Sequence, residues 1–205
     1  MTLDYRQAKF LLSAPDPETL PADLGNEVAF AGRSNAGKSS ALNSITDQKQ
    51  LARVSKTPGR TQQINVFPIG ESSDIEVAAE RLIDLPGYGY AKAPPAMRAH
   101  WQRALPLYLE TRKSLRGMVL IMDIRHPLGP LDDQMLQWCA AAELPVHILL
   151  SKADKLSRGA AANTLQSVRP KAAKICSGAT AQLFSALKRV GVDEAREQLD
   201  RWLCP

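Results

Sequence analysis

The sequence predicts an α/β protein: a mostly parallel, six-stranded sheet with helices on both faces. Three observations predict it. Short apolar runs of strand length alternate with segments of helical periodicity. Gly, Pro, Asn and Asp punctuate the boundaries between them. Each cluster of polar residues able to do chemistry follows directly on an apolar run, which is where open α/β sheets keep their ligand crevice.

Taken in order, residues 1–25 read as a lead-in that packs on a domain spanning 26–205. Residues 13–25 are irregular, and Arg6 to Leu12 are expected at the sheet edge. Glu27 to Ala31 is the first strand, followed by a Gly-rich turn and a helix from Lys38 to Ile45. Residues 47–62 are polar without periodicity and suggest a mobile loop. Gln63 to Ile69 and Ile75 to Ile83 are two more strands, with Gly70 to Asp74 as a hairpin turn. Pro94 and Pro95 suit the first turn of a helix carrying Met97, Trp101 and Leu105, and Pro106 is expected to break or restart it. Gly117 to Asp123, Val146 to Ser151 and Ala181 to Ser185 are the later strands. Helices are expected over Leu131 to Ala142, with Met135, Leu136 and Trp138 inward, over Ala160 to Ala173, with Leu165 and Val168 inward, and over Val192 to Leu203.

Composition narrows the function classes. A 205-residue chain that is 44% hydrophobic suits one globular domain. None of its apolar runs approaches the roughly 20 residues a membrane-spanning helix needs. Its first residues include Asp4, Arg6 and Lys9, unlike a signal peptide. Cys139, Cys176 and Cys204 are odd in number and far apart, which speaks against a disulfide framework or a zinc site and for a reducing cytoplasm. The net charge is +5, unevenly placed: six Lys/Arg against Glu110 between Lys92 and Arg116, and six against Asp154 between Lys152 and Lys174. Two basic segments on one side of a fold would meet a polyanion. Trp101 and Tyr108 lie in the first of them as candidates for base stacking, with core packing expected for Trp101.

The motifs specify more. Gly32-Arg33-Ser34-Asn35-Ala36-Gly37-Lys38-Ser39 matches the phosphate-binding P-loop in full. Its glycines let successive backbone N–H groups face a phosphate, Lys38 brings charge to the β- and γ-phosphates, and the Ser39 hydroxyl can ligate Mg²⁺. Asp84-Leu85-Pro86-Gly87 follows a strand 45 residues after Ser39. There Asp84 can hold Mg²⁺ through water, and the Gly87 amide can reach the γ-phosphate. Ser151-Lys152-Ala153-Asp154 follows another strand. Asp154 can accept both N1–H and N2–H₂ of guanine, a donor pair that adenine does not present, while the stem of Lys152 can lie over the base. Ser151 stands where Asn or Thr is usual but keeps a hydroxyl. Phe184-Ser185-Ala186, after the last strand, can offer amides to guanine O6. In the polar loop Ser55-Lys56-Thr57-Pro58-Gly59-Arg60-Thr61-Gln62, Thr61 is the candidate for a second Mg²⁺ hydroxyl, with Thr57 as the alternative. A P-loop ATPase or small-molecule kinase would share residues 32–39 but would have no use for Ser-Lys-Ala-Asp.

On these residues the chain resembles the EngB (YihA) family of bacterial GTP-binding proteins, within the TrmE-Era-EngA-EngB-Septin-like GTPases. Ser40 after the P-loop, Thr57-Pro58-Gly59-Arg60-Thr61-Gln62, Tyr88-Gly89-Tyr90-Ala91 after Asp84 to Gly87, and Asp123-Ile124-Arg125 add to the match, which runs from about residue 8 to the C-terminus. The resemblance implies a three-layer P-loop GTPase (Ras-like) fold, Mg²⁺ on Ser39 and Thr61, and a part in large ribosomal subunit assembly and normal septation. A GTP-gated monomer in the cytoplasm, without a membrane anchor, is the expectation. The alternative is a nucleotide-dependent scaffold at the division site with no RNA partner. Lys38, Thr61 and Gly87 are the expected catalytic groups.

Tyr88 occupies the position from which Ras-like GTPases use a Gln to orient the attacking water. Slow intrinsic turnover is therefore expected, raised by K⁺ held at Asn35 or by a ribosomal particle.

Overall fold

The computed structural model describes residues 2–52, 63–70, 80–89 and 95–205, with side chains from residue 99 onward in the last segment. Seven strands form one sheet: β1 (Leu12–Ala14), β2 (Asn26–Gly32), β3 (Ile64–Ile69), β4 (Glu80–Asp84), β5 (Leu115–Asp123), β6 (Val146–Ser151) and β7 (Thr180–Leu183). Their order is β1-β3-β4-β2-β5-β6-β7. From β4 across to β7 every pairing is parallel, while β3 runs antiparallel to both β1 and β4. The α-helices among the described residues are α1 (Lys38–Ile45), α2 (Pro95–Thr111), α3 (Pro130–Ala141), α4 (Arg158–Ile175) and α5 (Val192–Leu203).

The central strands read as continuous apolar runs because helices cover both of their faces. Ala41, Leu42 and Ile45 of α1 and Val192, Ala195, Leu199 and Leu203 of α5 pack on one face. Leu105, Tyr108 and Leu109 of α2, Met135, Leu136 and Cys139 of α3, and Ala161, Val168 and Ala172 of α4 pack on the other. The α2 part of the first basic segment and the α4 part of the second thus fall in the same three-helix layer.

Four expectations need correction. The sheet has seven strands rather than six, because Leu12–Ala14, inside and beside the segment read as irregular, pairs with β3 through Leu12↔Val66 and Ala14↔Ile64. Three residues are too few for alternation to show in the sequence. Pro106 neither breaks nor restarts its helix, since α2 runs unbroken from Pro95 to Thr111. Burial of Leu105, Tyr108 and Leu109 on one side of that helix outweighs the one backbone hydrogen bond that a proline removes. Tyr108 is 2% exposed, so it cannot stack on a base. Trp101 is half-buried against the core, edge-on to His100. Trp138 is half-buried rather than facing fully inward, a place that Cys139 takes. The proposed Gly70 to Asp74 turn, beyond Gly70, and the first part of the Ile75 to Ile83 strand lie outside the described residues.

The lead-in is tied down at both ends of the sheet. Tyr5 is buried and its hydroxyl donates to Asp200 Oδ1 of α5 at 2.7 Å. At the amino ends of the strands, the buried Glu27 carboxylate accepts from Arg81 at 3.0 Å and from Arg112 at 2.7 and 2.9 Å. Ala22 O accepts from Arg81 at 3.0 Å, and the Asp23 carboxylate caps the Lys113 and Ser114 amides at 2.9 and 2.8 Å. This network lies at the opposite end of the strands from the site described next.

His147 of β6 is buried between Thr180 Oγ1 and Gln182 Oε1, each 2.7 Å from a ring nitrogen. Burial pushes its pKa below the ordinary 6.5. The unfolded chain then binds a proton near that pH that the fold refuses, so stability should fall as pH drops below about 6.5 and level off once the folded ring protonates. Denaturant midpoints between pH 7 and 5 check this, and His147→Gln should remove that part of the slope.

Candidate functional site

The strands β2, β4, β5, β6 and β7 all end on one side, and every described motif sits there. The P-loop follows β2. An added Cβ at Gly32 would lie 2.7 Å from Ile121 O, so only glycine allows β2 to approach β5 this closely. Gly37 has φ +103, a left-handed conformation that suits glycine, and it starts α1 with no side chain capping the first turn. The leading amides of α1 are left for an anion, and the positive end of the helix favours one.

Lys38 is 7% exposed and its ammonium is ion-paired with Asp84, which is 2% exposed at the end of β4. Asn65 Nδ2 donates to the other Asp84 oxygen at 3.3 Å. Two charges held this far from water require each other. The chemistry of the Ser39 hydroxyl and the Asp84 carboxylate, all oxygen, suits a hard divalent cation such as Mg²⁺.

The segment after β4 is zipped to the P-loop by its backbone. Tyr88 N donates to Gly32 O at 3.3 Å, and Ser34 N donates to Tyr88 O at 2.8 Å. Gly87 lies against Ser34, whose Cα an added Cβ would reach at 3.5 Å. The Tyr88 hydroxyl donates to Asp132 Oδ1 of α3 at 2.8 Å. Burial and the Asp132 carboxylate hold that phenol well above the usual tyrosine range. Asp132 in turn accepts the Gly129 amide at 3.0 Å, and burial raises its own pKa.

The ends of β5, β6 and β7 complete the crevice. Ser151, 3% exposed, donates to Ala36 O of the P-loop, with Met122 O 3.1 Å away. A short side-chain donor is what this contact needs, and Ser shares one with Asn and Thr. Lys152, left-handed at φ 57, spans from Asp123 Oδ2 at 2.9 Å to Asn35 O at 2.7 Å. Asp154 Oδ1 accepts the Ser185 hydroxyl at 2.6 Å, and this bond lowers the carboxyl pKa. Ala153 N donates to Phe184 O at 3.0 Å, closing the 151–154 and 184–186 segments on each other.

Residues 32–40, 84–87, 151–154 and 184–186 are thus brought together. Gly59, Arg60, Thr61 and Gln62, with Thr57, Tyr90 and Ala91, lie outside the described residues. The role of Asp123 was not assigned from sequence. Burial would raise its pKa, yet hydrogen bonds from Arg125 and Lys152 hold it well below the usual carboxylate range, so it stays charged and fixes Lys152. The signals were an acid closing the β5 strand and the place of Asp123-Ile124-Arg125 in the family match. Lys152, expected only to lie along a base, also braces the P-loop.

The fold and the crevice define a P-loop GTPase. A family model described as "50S ribosome-binding GTPase" matches residues 27–152. The chain is 54% identical over 200 residues to the probable GTP-binding protein EngB of Salmonella newport (strain SL254), covering 98% of this chain and 92% of that one. The EngB of Salmonella typhi matches at the same identity and coverage. The chain belongs to the EngB family of GTP-binding proteins. Among solved structures, a probable GTP-binding protein EngB superposes with a TM-score of 0.67 at 19% identity, over 87% of this chain and 98% of that one. Era in complex with MgGDPNP and part of 16S ribosomal RNA superposes at 0.67 and 21% identity, over 87% of this chain and 57% of that one. At these identities the structures speak for the fold. No helix among the described residues is long and apolar enough to cross a membrane.

Proposed function

We propose that the chain is a Mg²⁺-dependent GTP hydrolase of low intrinsic rate, a GTP-gated switch in large ribosomal subunit assembly and, through it, in normal cell division and septation. It acts as a monomer in the cytoplasm. The observation that carries the reading is the convergence of the P-loop, the Asp84 to Gly87 turn and the Asp154–Ser185 pair on one crevice. The ribosomal part is supported by the description of the matching family model.

Backbone amides from Gly32 to Ser40, with Lys38, hold the phosphates, and the Gly87 amide meets the γ-phosphate. Ser39 and Thr61 would hold Mg²⁺ directly and Asp84 through water, and that ion neutralises charge on the β- and γ-phosphates. Gly59, Arg60 and Gln62 close the phosphate side. Asp154 accepts from guanine N1 and N2, the Lys152 stem lies along the base, and Phe184, Ser185 and Ala186 face O6. Lys38 must leave Asp84 for the phosphates, so GTP without Mg²⁺ strands a buried carboxylate. Tight binding therefore requires both.

The slow rate follows from Tyr88. Its hydroxyl is committed to Asp132, so the residue standing in the place of the usual Gln is turned away from an attacking water. K⁺ at Asn35 would supply positive charge there. Turnover is expected to be faster in K⁺ than in Na⁺ by at least about tenfold, less than the roughly 100- to 1,000-fold that one fully preorganised contact contributes. Equal rates count against the K⁺ site.

Ordering of residues 53–62 and 86–92 by GTP would change the affinity of the adjoining surface for its target. Co-sedimentation with large-subunit particles in a non-hydrolysable GTP analogue, GDP and no nucleotide tests the reading. Association that needs the analogue and survives moderate salt is expected. Binding indifferent to nucleotide, or lost with salt, rejects the ribosomal target and leaves the division-site scaffold in its place.

A further inference from the structure

The chain around Gly87 is held at both ends. On one side Leu85 is buried, and its amide donates to Phe30 O of β2 at 3.0 Å. Only Pro86, whose ring fixes φ, and Gly87 itself lie between Leu85 and Tyr88. Where the Gly87 amide sits is therefore decided by where Tyr88 is held.

Tyr88 is held from two directions. Its backbone pairs with Gly32 and Ser34, which ties one loop to another. Its hydroxyl crosses to α3, where Asp132 Oδ1 accepts it at 2.8 Å. Asp132 is 1% exposed, and its other oxygen accepts the Gly129 amide at 3.0 Å, so both carboxylate oxygens are engaged. Met135, Leu136 and Cys139 fix α3 in the core behind this carboxylate. Gly89 rests on the same turn of α3, where an added Cβ would lie 2.8 Å from Leu131 Cδ1. The phenol–carboxylate bond thus joins the segment after β4 to a packed helix. A hydrogen bond to a carboxylate screened from water is one of the stronger kinds.

We propose that Asp132 is a positioning residue for the γ-phosphate. Through the Tyr88 ring it fixes the Gly87 amide before nucleotide arrives. The inference rests on the reading above in which Gly87 meets the γ-phosphate. GDP has no γ-phosphate, so the bond matters to GTP alone. Without it, part of the interaction with the γ-phosphate is spent on ordering residues 86–89.

The test is equilibrium titration of the full chain, in Mg²⁺, with labelled GDP and with a labelled non-hydrolysable GTP analogue. Asp132→Ala and Tyr88→Phe should each weaken the analogue about tenfold, the lower reach of one hydrogen bond to a charged group, and leave GDP at wild-type affinity. Asp132→Asn should stay near the wild-type ratio of the two affinities. Its amide oxygen can accept from Gly129 while its N–H donates to the Tyr88 oxygen. Combining Asp132→Ala with Tyr88→Phe should cost no more than either change alone, because both remove the same bond. Tyr88→Phe deletes one oxygen and keeps the ring, so it still reads the effect where Asp132→Ala folds poorly.

An unchanged affinity ratio in both single variants overturns the proposal, even with a lowered melting temperature. Equal weakening of GDP and analogue overturns it too and leaves Asp132 a residue that only stabilises α3. Additive losses in the double variant do the same, since the two groups then act separately. Failure of the underlying reading looks different. Gly87→Pro removes the amide hydrogen itself, and an unchanged ratio in that variant rejects the contact between Gly87 and the γ-phosphate. A ratio shifted by Gly87→Pro but by neither Asp132→Ala nor Tyr88→Phe keeps that contact and rejects only the role of Asp132.

Discussion

Asp154→Asn is expected to weaken GTP binding by about 100- to 10,000-fold while leaving the fold intact. The carboxylate offers guanine two charged hydrogen bonds, each worth about 1.5–3 kcal/mol. The amide keeps one acceptor but turns an N–H donor toward the N2 amino group, so one bond is lost and a donor faces a donor. Xanthine carries a carbonyl at that position, so the variant should gain affinity for xanthosine triphosphate. The Ser185 hydroxyl can bond either side chain, so stability should change by no more than about 1.5 kcal/mol, the net worth of one hydrogen bond. Titration with fluorescently labelled guanosine and xanthosine nucleotides reads both effects. An unchanged preference would mean that Asp154 does not read the base.

Lys38→Ala is expected to do two things at once. It removes the charge that meets the β- and γ-phosphates, and nucleotide binding should become undetectable at micromolar concentrations. It also leaves Asp84, 2% exposed, without the ammonium that balances it. Removing one partner of a buried pair costs about 3–5 kcal/mol. For a chain of this size that corresponds to a fall in melting temperature of about 10 °C. Asp84→Asn combined with Lys38→Ala should recover much of the lost stability and none of the binding. A thermal scan of the single and double variants separates this from general misfolding: if the double variant is no more stable than the single, the pair does not hold this end of the sheet together.

Much of the fold was legible along the chain. The spans of α1, α5 and β6 follow from apolar periodicity bounded by Gly or Pro, and they match to the residue. The P-loop, the Asp84 turn and the Ser151 to Asp154 string were legible because each is a local string at the end of an apolar run, and the structure brings them to one crevice. What stayed hidden was non-local. Leu12–Ala14 becomes a strand because β3 leaves an edge for it. Pro106 stays inside a helix because Leu105, Tyr108 and Leu109 around it are buried. Tyr108 is aromatic and sits in a basic stretch, yet packing turns it inward.

The site divides along the same line. Sequence alone determined the residue types proposed to meet phosphate and base, since P-loop and base-reading chemistry need particular atoms at particular spacings. It also determined, through Tyr88, that the usual water-orienting Gln is missing. Only the tertiary structure decided how those atoms are held. Lys38 rests on Asp84, Ser151 and Lys152 brace the P-loop from another strand, Asp123 anchors Lys152, and the Tyr88 ring turns to Asp132 on α3. Each of these contacts joins residues 29 to 117 positions apart. Such contacts depend on which strand ends lie side by side in the sheet, and local sequence carries no record of that order.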